Sequence, residues 1–404
     1  MNRWLCNRRS FPRLQICIAF VTISLVLASC STLPRPERSD AQLREQKKAL
    51  IERQTETLEH VADTVVTRLE MIQSGATADS TYDVLLLSGG GDWGVFGAAF
   101  LNGWFENQEL PIPEFDYVAG ISTGSLIAAY TISGERERYL EMEQFYLATD
   151  EDFISLRGPL GLGILPLITN SFAIADTSRV EAAVRGAIDD RLVADILRAN
   201  QQNRVLVAGA VNLDLGLFTP FYLGPELEVA QSPTERLTKI LLASSAIPAA
   251  FQPVEIEGDL YADGGASVGI PIFKLEVIPT IVERYRKLHG KAPPTFRFWL
   301  IFNNKLGVRP QVTARGWSDV LLRSYKVALQ TTLVAPFESL GLTADLLEQS
   351  GQASIELRWV AIPEDFEEVA ANAAFVPQAM QDLSSLGREM GGDAASWQTR
   401  RLGL

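Results

Sequence analysis

A chain of 404 residues, 47% of them hydrophobic, is long enough to bury one large core or two smaller ones. Its formal net charge of −13 argues against nucleic acid as a partner and against a polybasic membrane patch, because such a surface repels phosphates over long range. Three cysteines and two histidines leave no material for a disulfide framework or a structural zinc site.

The N-terminus reads as a targeting segment. Arg3, Arg8, Arg9 and Arg13 form a positive region without acids, and Ile16 to Ala28 is an apolar run too short to span a bilayer comfortably. The run ends in Leu27-Ala28-Ser29-Cys30, which resembles the lipobox of bacterial lipoproteins. The expectation is a signal peptide over 1–29 and a lipidated Cys30 as the first mature residue. A short tether would follow over 30–39, with Pro34 and Pro36. Removal of the leader takes away four basic residues and no acid, so the remainder is more acidic still. Small residues before the cysteine favour this over an uncleaved anchor. The implied address is the bacterial cell envelope, and Ser31 is compatible with an outer-membrane protein facing the periplasm.

Residues 40–73 lack Gly and Pro and repeat Leu43, Leu50, Leu58, Val61, Val65, Leu69 and Ile72 at helical spacings. They predict an amphipathic helix roughly 50 Å long at 1.5 Å per residue. A helix lying on the domain suits its irregular stripe better than a free spacer or coiled coil. The main domain is expected over 82–363, followed by a C-terminal helical segment over 364–404. Asp83 to Ser88 is a continuous apolar run and reads as a strand buried on both faces. A helix over 94–107, a strand over 115–119 and a helix over 123–131 follow. Gly158 to Gly163, with Pro159 and Pro166 nearby, reads as a turn-rich flap. Further strands are expected over 204–211, 217–222, 296–302 and 355–362. Further helices are expected over 178–188, 234–243, 275–289, 317–333 and 376–390. This alternation predicts an α/β fold around a mainly parallel sheet.

Three motifs carry candidate chemistry. Gly120-Ile121-Ser122-Thr123-Gly124 is a G-x-S-x-G nucleophile elbow between a predicted strand and helix. Gly89-Gly90-Gly91-Asp92-Trp93-Gly94 also fits a dinucleotide fingerprint, a weak signal by itself. Its general content is a glycine loop that offers backbone N–H groups to an anion, here the oxyanion of acyl transfer. Asp263-Gly264-Gly265 puts an acid beside paired glycines, although alone it reads as an ordinary turn. Histidine is scarce. His60 lies in the N-terminal helix, and His289 precedes Gly290 where a helix C-cap is expected. A triad of Ser122, Asp263 and His289 competes with a serine–aspartate dyad.

Taken in order with Ala243-Ser244-Ser245-Ala246-Ile247-Pro248-Ala249-Ala250-Phe251, these motifs resemble the patatin-like phospholipase family, in particular its bacterial lipoprotein members. The resemblance covers Tyr82 to Phe273 and extends less clearly to Pro363. It implies a three-layer α/β/α fold and a lipid acyl hydrolase that cleaves carboxylic esters through an acyl-enzyme. It also implies no metal and no cofactor at the dyad. Carried over, Ser122 is the nucleophile, Asp263 the base, and Gly89, Gly90, Gly91 and Gly94 surround the oxyanion. Gly90→Val is therefore expected to fold but be inactive. Partners would be a lipid or other ester substrate and, through Cys30, the membrane. Trp93 stands where members often carry Arg or Lys, and Gly269 where Asn is common; these departures leave open a silent scaffold. Trp93, Phe96, Phe100, Leu160, Leu162, Ile164 and Leu165 are candidate walls of an acyl site, with Phe96 and Phe100 better suited to plain core.

Overall fold

Side chains of Thr81–Leu87 (β1) point alternately to two buried layers: Leu85 and Leu87 join one core, Val84 and Leu86 the other. That two-sided burial is why the strand is apolar from Val84 to Leu87. The computed structural model describes residues 35–148, 155–156, 175–176, 178–248, 250–272, 277–308, 310–367 and 375–399. The leader, Cys30 and the loop holding Leu160, Leu162, Ile164 and Leu165 lie outside the described residues.

The large sheet has the order β10-β9-β1-β2-β5-β8-β7, with β6 also pairing β5. Its strands are Tyr117–Ile121 (β2), Val205–Asn212 (β5), Leu217–Tyr222 (β6), Val254–Ile256 (β7), Asp259–Asp263 (β8), Thr295–Phe302 (β9) and Ile355–Ala361 (β10). Ser155–Leu156 and Ala175–Asp176 (β3 and β4) form a separate small pair. Strands β10, β9, β1, β2 and β5 run parallel, while β6 and β8 are antiparallel to β5. The expected mainly parallel sheet is therefore present, with an antiparallel margin.

Helices cover both faces. Asp40–Gln73 (α1), Val277–His289 (α9) and Trp317–Gln349 (α10) lie on one. Gly94–Glu106 (α2), Thr123–Thr131 (α3), Arg136–Leu147 (α4) and Pro377–Gly392 (α11) lie on the other. Ser178–Ala187 (α5), Asp190–Gln201 (α6), Leu223–Glu228 (α7) and Pro233–Ser244 (α8) complete the described helices.

The second half of α1 and Trp397 both join the core. Helix α1 opens with a capping box between Ser39 and Gln42, and its second half buries Val61, Val65, Leu69 and Ile72. Arg68 Nε donates to Asp116 Oδ1 at 2.6 Å, with both side chains at 5% exposure or less. Near the other end, Trp397 meets Trp104 and Trp299 edge to face at centroid distances of 4.7 and 4.9 Å.

Three helices escaped the sequence pattern: α4, α6 and α7. Helix α10 also runs well past the predicted end near Leu333, through Pro336. A proline removes one backbone bond and strains the turn. Burial of Phe337, Leu340, Ala344 and Leu347 against the sheet outweighs that cost.

Candidate active site

Ser122 sits between the end of β2 and the start of α3 with φ 54° and ψ −128°. A non-glycine residue held there costs of order 1–3 kcal/mol and persists because its surroundings fix it. A Cβ at Gly120 would meet Gly124 O at 2.1 Å, and one at Gly124 would meet Leu87 O at 2.4 Å. The two glycines thus allow the crossing that forces Ser122 outward. The Ser122 N–H donates to Ser244 Oγ at 3.0 Å, and that hydroxyl donates to Gly209 O at 2.7 Å. Ser244 comes from the third of the four motif segments, which explains its place in the pattern.

Register brings Asp263 to the serine. Ile121 pairs with Gly209 in β5, and the next β5 residue, Ala210, pairs with Asp263. The Asp263 N–H donates to Ala246 O at 2.9 Å, and Asp263 Oδ1 accepts from the Gly265 N–H at 2.7 Å. Asp263 is 2% exposed. Burial pushes its carboxyl up to about 6, against the opposing pull of the Ser122 and Gly265 hydrogen bonds. Gly264 is needed because a Cβ there would meet Gly209 O at 2.5 Å.

In the glycine loop, two of the four expected donors are already engaged. The Gly89 N–H donates to Gly269 O at 3.0 Å, and the Gly94 N–H points back to Asp92 O and Gly91 O. This corrects the expected set. Gly90 and Gly91 instead open the 3-10 turn Gly91–Trp93, where N–H groups have no acceptor within the turn. Gly91, at φ 62°, also lines the cavity beside Ser122. The expectation for Gly90→Val is corrected too. A Cβ at Gly90 would meet Asn303 O at 2.3 Å, so valine would disturb packing as well as the amides.

Asn303 and Asn304, directly after β9, are the residues the sequence reading missed. Fully buried Asn303 donates from its N–H to Ser88 Oγ and from Nδ2 to Ser88 O, both at 2.8 Å, and accepts from the Gly97 N–H at 3.1 Å. Asn304 Nδ2 donates to Gly89 O at 2.7 Å. Paired amides after the apolar run Phe298 to Phe302 were the available signal. A second brace runs through α10. Pro336 has no N–H for Thr332 O, the carbonyl four residues earlier, and the Gly269 N–H donates to it at 3.2 Å. Gly269 O in turn holds Gly89. An asparagine at 269 would have to displace the Thr332 side chain, because its Cβ would meet Thr332 Oγ1 at 2.6 Å.

The histidines stand apart. His289 ends α9, at the opposite end of the sheet from Ser122, with Nε2 at 2.9 Å from Glu70 Oε1 and its ring against Tyr285. His60 lies exposed on α1. Neither histidine is brought to Ser122 or Asp263.

A cavity of about 550 Å³ opens over Ser122. Leu126, Phe145, Val184, Leu242, Ile247 and Phe251 give it apolar walls. Phe96 and Phe100 are fully buried in the core, and Trp93 packs against that core, so the expected walls are replaced among the described residues.

Three comparisons bear on this arrangement. A model of the family described as patatin-like phospholipase matches residues 85–275. The uncharacterized protein R571 of Acanthamoeba polyphaga mimivirus is 25% identical over 200 residues. That match takes in 48% of this chain but only 62% of the viral protein. Among solved structures, VipD from Legionella pneumophila aligns over 80% of this chain and 68% of its own, with 12% identity and a TM-score of 0.34.

Proposed function

On the premise that residues 85–275 are a patatin-like phospholipase domain, we propose that this protein is a lipid acyl hydrolase working through Ser122 and Asp263. One observation carries the reading. A serine on a strained elbow donates to a buried carboxylate raised to about 6, beneath a mostly apolar cavity. A free aspartate, near 3.9, is a poor base for a hydroxyl. Burial moves Asp263 toward neutrality and improves the match.

In the proposed reaction Ser122 Oγ attacks the ester carbonyl and its proton passes to Asp263. The Gly90 and Gly91 N–H groups face the developing oxyanion. Collapse expels the alcohol, which takes the proton from Asp263 and leaves an acyl-serine. Water then repeats the sequence, with Asp263 accepting its proton and returning it to Ser122. The N-terminus of α3 favours negative charge on Ser122.

A fluorophosphonate probe tests the serine. Wild type should label and hydrolyse phospholipid, Ser122→Ala should do neither, and His289→Ala should match wild type. Loss of labelling in a folded His289→Ala would overturn the dyad. A protein that never labels would be a scaffold rather than an enzyme.

The membrane anchor is proposed from sequence, through Cys30. No described helix is long and apolar enough to cross a membrane. Cys30→Ser should abolish incorporation of labelled palmitate, since no cysteine follows it. Incorporation that survives the change would remove the lipoprotein reading.

A further inference from the structure

We propose that Lys239 is the phosphate-binding residue of the Ser122 cavity. It selects glycerophospholipids over uncharged glycerides by meeting the lipid phosphate while the ester lies at Ser122. The inference deepens the reading above and rests on it for the reaction, but not for the binding.

Helix α8 carries this group. The Ser122 N–H donates to Ser244 Oγ, which fastens the carboxyl end of α8 to the elbow. Lys239, Leu242 and the capping residue Ser245 fall three residues apart and so share one face of the helix. All three line the cavity over Ser122. From the elbow outward, that face offers a hydroxyl, an isobutyl group and an ammonium.

Lys239 is set apart by the loss of its partners. A glutamate one turn earlier is the usual companion of a helical lysine. Glu235 holds that place but pairs with Arg185 at 3.0 Å instead. Neighbouring Arg236 takes Glu226 at 2.6 Å and Glu257 at 3.1 Å. The carboxylates that line the cavity are engaged as well. Glu181 pairs with Arg185 at 3.1 Å, Asp92 accepts from the Phe375 N–H at 2.9 Å, and the charge of Glu255 acts on Arg35. Half-buried Lys239 makes no hydrogen bond or ion pair among the described residues. An ammonium partly withdrawn from water beside apolar walls, with no anion of its own, favours a ligand that brings one.

Ser245 is an independent sign. Serines in helices commonly turn their hydroxyl onto a carbonyl one turn back. Ser245 Oγ is buried and has no such partner. Buried hydroxyls are costly to leave unpaired, and in this cavity the acceptor comes with the ligand, as an ester or glycerol oxygen near Ser122. The spacing suits a glycerophospholipid. From Lys239 to Ser244 the helix rises about 7.5 Å. Five bonds join the carbonyl carbon of the central ester to phosphorus, about 6 Å when extended. The flexible lysine stem covers the difference. A free phosphate would satisfy Lys239 but leave the walls at Leu126, Phe145 and Leu242 bare. A triacylglycerol would fill the walls and leave Lys239 without an anion.

Hydrolysis and binding by the full chain test this together. Phosphatidylglycerol and diacylglycerol with the same acyl chains are offered in detergent micelles. The ratio of their kcat/KM values should favour the phospholipid in wild type, fall about tenfold in Lys239→Gln and recover in Lys239→Arg. Fluorophosphonate labelling shows that each variant keeps its elbow. An unchanged ratio in Lys239→Gln overturns the proposal. Calorimetry on Ser122→Ala separates binding from reaction. Dihexanoyl phosphatidylglycerol should bind about tenfold more weakly once Lys239→Gln is added. Inorganic phosphate should displace it only at far higher concentration than the lipid. Displacement at equal concentration would assign Lys239 to free phosphate and overturn the lipid subsite. Lipid held through Lys239 by a wild type that hydrolyses nothing would uphold the subsite and refute the enzyme. Hydrolysis that ignores Lys239 would do the reverse.

Discussion

Asp263→Asn is expected to destroy activity and to stabilise the fold. As the proposed base, Asp263 should account for roughly a thousandfold in kcat, as losses of catalytic bases commonly do. The stability gain follows from the raised carboxyl, about 6 in the folded protein against about 3.9 in the unfolded chain. A folded state that binds the proton more tightly is favoured at low pH and loses that advantage as pH rises through 6. Above that, the wild type carries a buried charge at a cost of up to about 3 kcal/mol. Asparagine keeps an acceptor for the Gly265 N–H and removes the charge. Its advantage should be full above pH 7 and vanish below pH 4. Denaturant titrations at pH 8 and pH 4, beside an ester assay, check both halves. The wild-type kcat/KM should also fall below about pH 6 with a carboxylate limb. An active Asp263→Asn protein would refute the assignment. An inactive one with no gain at pH 8 would mean that burial does not raise the carboxyl.

Arg68→Met should cost about 3–5 kcal/mol, because it leaves Asp116 buried without its cation. Asp116 is 2% exposed and accepts from the Arg68 guanidinium and from the Asp83 N–H at 2.7 Å. Burial already lifts its carboxyl to about 6, with Arg68 holding it down. Without Arg68 it should rise further, so the deficit of the variant should shrink as pH falls and the carboxyl is neutralised. The double variant Arg68→Met with Asp116→Asn should be clearly more stable than Arg68→Met at pH 8. Equal losses in the single and double variants would show that packing, not the stranded charge, sets the cost. A loss below about 1 kcal/mol, typical of surface pairs, would make α1 peripheral to the fold.

Much of the site was legible because its chemistry is local. The elbow needs glycines on either side of the serine, and a glycine loop at a helix start is readable as an anion site. Asp263 alone was not legible. An Asp-Gly pair is an ordinary turn until β8 pairs with β5 and puts the acid one register step from the end of β2. The same limit hid Asn303 and Asn304. Their partners, Ser88 and Gly89, are remote in sequence and adjacent only because β9 lies beside β1. Pro336 misled for a related reason. Its local penalty is real, but Thr332 O found a donor in Gly269 and the following turns found a core.

By itself the sequence determined the α/β alternation, the buried parallel strands, the elbow and the glycine loop. Each follows from hydrophobic period and backbone freedom over a few residues. Tertiary structure brought Asp263 beside Ser122, engaged the Gly89 and Gly94 N–H groups and set His289 at the far end of the sheet. It also decided that the second half of α1 and Trp397 join the core. Those outcomes depend on strand register and helix docking, which join residues far apart in the chain, and no local pattern encodes such distances.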